Sequence, residues 1–258
     1  SETKGGGIYS RNMDILKSIV DNNDTYTSLS VAGGLNQGGG IYHEGTGNIF
    51  NTAISNNDAS AGTGYISGGY TSYTYGGGLY SKSADPVSNC LIHNNSVTGR
   101  NKAYGGGIYN ESTSVFSNLT VAKNTSYSSY TTPDNKGSGI YTNSSSAKFR
   151  NSIIYFNDLL NYYDQTTTSE VKNSVIQLYP NGATNFNIDP LFADTAARDF
   201  HVSASSIAIN RGDNTYIPAG ITTDLDGNLR ISGTSVDIGA YELDLCKSYT
   251  TIYDEVCF

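Results

Sequence analysis

Gly5-Gly6-Gly7-Ile8-Tyr9 returns as Gly38-Gly39-Gly40-Ile41-Tyr42, Gly76-Gly77-Gly78-Leu79-Tyr80, Gly105-Gly106-Gly107-Ile108-Tyr109 and Gly137-Ser138-Gly139-Ile140-Tyr141. The intervals are 33, 38, 29 and 32 residues, so the chain is a repeat protein before any other feature is weighed. A second set of columns follows each copy: a short apolar segment, an Asn, a second apolar segment and another Asn. It reads Ile49-Phe50-Asn51-Thr52-Ala53-Ile54 with Asn57, and Phe116-Ser117-Asn118-Leu119-Thr120-Val121 with Asn124. The first copy carries Lys17 where the others have Asn, and Asn173-Ser174-Val175-Ile176 is a sixth, partial copy. Length varies almost wholly after the second Asn.

Physics selects among repeat folds. Short apolar segments punctuated by Gly and Asn carry no helical period, which removes the helical solenoids. A propeller blade needs four antiparallel strands. Stacked parallel coils need only short strands and bends, with like residue above like at about 4.8 Å. The Ile8 column then fills the interior. Asn at a bend tolerates left-handed backbone and bonds to its own copy in the next coil, while paired glycines open a backbone path closed to other residues.

Composition agrees. Of 258 residues, 37% are hydrophobic and 15% charged, with 29 Gly, 21 Tyr and no Trp, which reads as turn-rich β structure. No apolar run approaches the ~20 residues of a membrane helix. The net charge of −8 is uneven: residues 1–180 carry 12 Asp/Glu and 11 Lys/Arg, whereas 181–258 carry 11 and 4. No basic stripe exists to meet phosphates, so nucleic acid is not an expected partner. Cys90 falls in an apolar column and reads as a small core residue, and Cys246 and Cys257 are near enough in sequence to pair in an oxidising compartment. Entry into the repeat by Gly5 reads as a piece of something longer.

The coil pattern resembles the right-handed parallel β-helix proteins of the pectin-lyase-like superfamily, and more closely bacterial surface proteins with GGGIYN-type coils. The C-terminal run strengthens the resemblance: Asp189-Pro190-Leu191-Phe192, Asp199-Phe200-His201-Val202, Thr223-Asp224-Leu225-Asp226-Gly227-Asn228 and Val236-Asp237-Ile238-Gly239-Ala240-Tyr241-Glu242. It is similar to the closing module of large cell-surface β-helix proteins. The resemblance implies a single-stranded right-handed solenoid over 1–180, terminal coils and a cap over 181–244, and a linker or the start of a truncated module over 245–258. It also implies a secreted or bacterial cell-surface location, on the outer-membrane exterior. A cap has a physical purpose, since a last coil otherwise exposes a sheet edge and an apolar interior.

Candidate sites follow. If Ile8 and its copies point inward, Tyr9, Tyr42, Tyr80, Tyr109 and Tyr141 form an outward aromatic stripe. Tyr65, Tyr70, Tyr73 and Tyr75, with Tyr104, Tyr127, Tyr130, Tyr162 and Tyr163, read as loop tyrosines. Exposed aromatics on a rigid scaffold suit sugar stacking or adhesion, and equally suit cross-strand packing. Asp224, Asp226 and Asn228 resemble the opening of a Ca²⁺ loop, but Ser235 stands where a bidentate Glu belongs, and Asp-Gly is also an ordinary turn. The column Arg11, Glu44, Lys82, Glu111, Asn143 reads as an outer charge ladder. His43 and Glu44 point to opposite faces of one strand, so they do not share a substrate. No acid/base constellation is visible, and no helix follows the triglycines to make a phosphate loop. The expected function is a non-catalytic display module, monomeric and free of cofactors apart from the Ca²⁺ option. It would bind a polysaccharide or a host or cell-surface glycoprotein. A polysaccharide lyase, epimerase or hydrolase and a plain spacer stay open.

Overall fold

Four kinds of short strand recur in each coil. The computed structural model describes residues 2–28, 34–62, 71–129, 134–180 and 183–243. The first sheet stacks Glu2–Lys4, Gly34–Gln37, Ser72–Tyr75, Lys102–Tyr104 and Asp134–Lys136. The second stacks Ile8–Arg11, Ile41–Glu44, Leu79–Ser81, Ile108–Asn110, Ile140–Thr142 and Tyr162–Asp164. The third holds the two apolar segments, as in Val87–His93 and Val115–Ala122, and the fourth stacks Asp24–Thr27, Asp58–Ala61, Ser96–Gly99 and Thr125–Ser128. Every pairing among these four sheets is parallel. Register sets Tyr9 against Tyr42, Tyr42 against Tyr80, Tyr80 against Tyr109, and Tyr109 against Tyr141. The chain is all-β, and residues up to about 180 form a parallel solenoid of stacked coils.

The triglycine sits where the interior is narrowest. The first Gly of each copy takes a φ of +57 to +69°. A Cβ on the second, at Gly6, Gly39, Gly77 or Gly106, would lie 2.2–2.5 Å from a backbone oxygen of the fourth sheet or the next coil. A Cβ on the third would meet the side chains of Asn23, Asn57, Asn95, Asn124 and Asn157. These positions divide the cross-section. One lobe is filled by Ile41, Leu79, Phe116, Phe149, Ile54 and Cys90, all buried. The other takes small or polar side chains, among them Ala59, Val97, Ala103 and Asn36. Cys90 is a core residue as expected, and burial pushes its thiol up to about 12.

The two Asn columns have separate duties. The first column supplies left-handed backbone: Lys17, Asn51, Asn89, Asn118, Asn151 and Asn173 lie at φ +47 to +56°. At the second bend the left-handed residue is the preceding one, Asn22, Asn56, Asn94, Lys123 or Phe156. The second Asn is then free to form the ladder. Asn57 donates from its backbone N–H and Nδ2 to Asn95 Oδ1 at 3.0 and 2.9 Å, and Asn95 does the same to Asn124 at 2.9 and 3.0 Å.

The C-terminal segment has two parts. The end of the last coil is met by Tyr179, which packs on the core beside Tyr162, and by Phe186, whose carbonyl accepts from Ile176 N–H at 2.9 Å. Most of residues 198–243 instead runs back along the outer face of the third sheet. Phe200 packs on Leu91 and Ala122, and Val202, Ala208 and Ile238 pack on Ile153, Tyr155 and Val175. Asn89 Nδ2 donates to Thr223 O at 3.0 Å, and Ala240 N–H to Thr120 Oγ1 at 3.0 Å. The reason lies in the wall: Leu91, Ala122, Ile153, Tyr155 and Val175 make the outward face of the third sheet largely apolar, and that face needs cover.

Candidate functional site

The tyrosine column stacks as the register demands. Ring centroids along Tyr9, Tyr42, Tyr80, Tyr109, Tyr141 and Tyr163 are 5.3, 5.1, 4.9, 5.1 and 5.5 Å apart, with planes within 16°. The expected exposure does not hold. Tyr42, Tyr80, Tyr109 and Tyr141 are buried, and only Tyr9, in the first coil, is open at 46%. The cover comes from the first sheet. Tyr75 stacks on Tyr109 at 4.6 Å and Tyr104 on Tyr141 at 4.5 Å, so the two sheets meet at a re-entrant outer corner filled by rings from both. Lys4 lies over Tyr42 at 4.9 Å and Lys136 over Tyr163 at 5.2 Å, towards opposite ends of the file.

Five hydroxyls of this corner have a neighbouring acceptor. Glu44 accepts from Tyr9 and Tyr42, Glu111 from Tyr109, Asp134 from Tyr104 and Gln165 from Tyr141. Burial, reinforced by these carboxylates, holds the Tyr42, Tyr80, Tyr104 and Tyr109 hydroxyls far above their ordinary range, and pushes Tyr141 up to about 12. The charge ladder exists in pairs, Arg11–Glu44 at 3.8 Å and Lys82–Glu111 at 3.7 Å.

Several tyrosines assigned to loops are strand residues. Tyr73 and Tyr75 lie on Ser72–Tyr75, Tyr104 ends Lys102–Tyr104, and Tyr162 and Tyr163 form a sixth rung of the second sheet without a triglycine. A strand before each triglycine was hidden because Tyr75 and Tyr104 are the one identical pair between neighbouring coils of its described residues. Tyr65, Tyr70, Tyr130, Cys246 and Cys257 lie outside the described residues. His43 is fully buried, facing away from Glu44, with Nε2 2.8 Å from Gly47 O, and burial lowers its pKa.

The Asp224–Asn228 loop closes on itself. Asp224 Oδ1 accepts from Asp226 N–H at 3.0 Å and Asn228 N–H at 2.8 Å, and Oδ2 accepts from Asn228 Nδ2 at 3.2 Å and Glu242 N–H at 3.0 Å. Four donors therefore fix this carboxylate. Asp226 turns away to His201, whose Nε2 is 2.8 Å from Asp226 Oδ2 and whose Nδ1 is 2.6 Å from Asp199 Oδ1. Burial alone would lower the His201 pKa, but the two carboxylates outweigh it and raise it. Among the described residues, no three His, Cys, Asp or Glu side chains converge to hold a metal ion.

Behind the loop lies a buried charge cluster. Arg230 Nη2 donates to the carbonyls of Asp237 and Gly239 at 3.1 and 2.7 Å, and Nη1 is 3.1 Å from Glu242 Oε1. Asp237 accepts from Asn210 N–H and Leu243 N–H at 2.7 and 2.8 Å. The motif therefore acts as a lock: Arg230 fixes the backbone that Gly239 presses against Thr120 and Ile153. Burial raises Glu242 to about 8, despite the opposing Arg230.

Where the returning segment passes the first two coils, a cleft of about 430 Å³ opens. Lys17, Ile19 and Asn51 line the solenoid side, and Asp226 and Tyr241 the other. Nothing in the sequence brings these residues together, because the two walls are some 200 positions apart in a segment with no repeat. No family model, no curated protein and no solved structure matches the chain.

Proposed function

We propose that the chain is a right-handed parallel β-helix module of a secreted or surface-attached bacterial protein, and that it works without catalysis, as a rigid display scaffold that adheres to a glycan or glycoprotein. The observation that supports this reading most is the sealed tyrosine corner. Its carboxylates Glu44, Glu111 and Asp134 are engaged by tyrosine hydroxyls, which stiffen the rod rather than perform acid/base work. Binding is then the duty of surfaces outside the corner. One observation favours a second reading, a polysaccharide-cleaving enzyme: the Asp199–His201–Asp226 chain is a partly exposed acid/base group.

A panel of neutral and acidic polysaccharides, incubated with the chain with and without Ca²⁺ and followed by polymer size, separates the two. The scaffold reading expects no shortening, together with retention of at least one polymer on immobilised protein. Shortening of any polymer establishes the enzyme, and neither shortening nor retention leaves a spacer.

A further inference from the structure

We infer that the cleft between the first two coils and the returning segment is a binding site for a neutral saccharide. This rests on the glycan-binding reading above and gives it a place and a ligand class. Three independent observations meet there.

The first is Lys17. Five of the six residues in the first left-handed column are Asn, which tolerates positive φ. Lys17 holds φ +48° without that advantage, and it faces the cleft without an ion-pair partner among the described residues. Strained backbone retained at a cleft is a mark of function. The second is Ile19. Its column continues as Ala53, half-buried and lining the same cleft, and then as Leu91, Thr120, Ile153 and Val175, all buried beneath the returning segment, yet Ile19 is 80% exposed. The third is the cleft itself, whose volume lies within the range of small-molecule sites of about 300–1,000 Å³.

The chemistry chooses the ligand. A sugar ring offers an apolar C–H face and a rim of hydroxyls, each both donor and acceptor. Ile19 and the Tyr241 ring supply apolar surface. Among the described residues Lys17 Nζ and Asn51 Nδ2 are unengaged donors, since Asn51 uses only Oδ1, to accept from Asn89 at 2.5 Å. Asp226 keeps Oδ1 as an acceptor, its Oδ2 being held by His201. Mixed donors and acceptors suit a neutral polyol. A uronate would set its own carboxylate beside Asp226 and Asp224, with Lys17 alone in its favour.

Affinity electrophoresis of the full chain through gels carrying mannan, dextran, β-glucan or polygalacturonate tests this, with Lys17→Asn, Ile19→Ser and the distant, exposed Tyr127→Ser. The inference expects retardation by at least one neutral polymer, weakened about tenfold or more by Lys17→Asn and by Ile19→Ser and unchanged by Tyr127→Ser. It also expects Lys17→Asn to melt no lower than the parent, so lost binding is not lost folding. Retardation that the two cleft variants leave intact overturns the cleft and spares the glycan reading. Retardation by polygalacturonate alone overturns the ligand class. No retardation in any gel overturns the glycan reading and the cleft with it.

Discussion

The coils and the returning segment bury polar groups in opposite ways. In the coils, each Asn of the second column meets its own copy, and that ladder is neutral from Asn23 to Asn157. In the returning segment, Arg230 lies among Glu242, Asp237 and Asp224, all buried and none repeated. A neutral amide ladder loses one rung at a time. A single charge cluster fails as a unit, because removing one partner leaves uncompensated charge. Repetition thus spreads risk along the rod, and the lock concentrates it.

The largest expected effect tests that contrast. Arg230→Leu strips the Asp237 and Gly239 carbonyls and the Glu242 carboxyl of their buried donor and should cost about 3–5 kcal/mol, read by urea denaturation. Limited proteolysis should then cut residues 198–243 first while the coils persist. Asn95→Ala removes the acceptor of two Asn57 donors and should cost about 3 kcal/mol in the coils, with the pH response of the returning segment unchanged. Tyr80→Leu breaks the stacks with Tyr42 and Tyr109 and should cost about 2 kcal/mol in the same assay. Lys17→Asn replaces a strained residue with the one its column prefers and should stabilise by about 1 kcal/mol, seen as a higher melting temperature.

Legibility followed the same division. Tyr42 and Tyr80 were readable as stacked because each rests on an identical neighbour, and the Asn ladder was readable for the same reason. Burial of the stripe was not. It depends on Tyr75 and Tyr104 from a strand whose equivalents are Gln37 and Lys136, so no column announced it. The motif around Asp237 and Glu242 was visible as a pattern, but its meaning required Arg230, which the motif does not contain. The cleft was least legible, because Lys17 and Asp226 meet only through the path of the returning segment. What the sequence did offer was Lys17 as the odd residue of its column, and Lys17 lines the cleft.

The pH dependence follows with opposite signs in the two regions. Glu242, raised to about 8 from an ordinary 4.5, favours the folded state fully below 4.5, and that contribution is lost as pH climbs through 8. The raised His201 acts in the same direction above its ordinary range. In the coils, His43 and His93 are lowered by burial, so their contribution is present above pH 6.5 and lost as pH falls through their folded values. Peptide-resolved hydrogen exchange at pH 5 and pH 8.5, corrected for intrinsic rates, tests the account most directly. The account predicts that residues 198–243 lose protection at the higher pH while the coils hold or gain it, and that Glu242→Gln removes much of the loss. Equal loss in both regions, or a returning segment indifferent to pH, would contradict it.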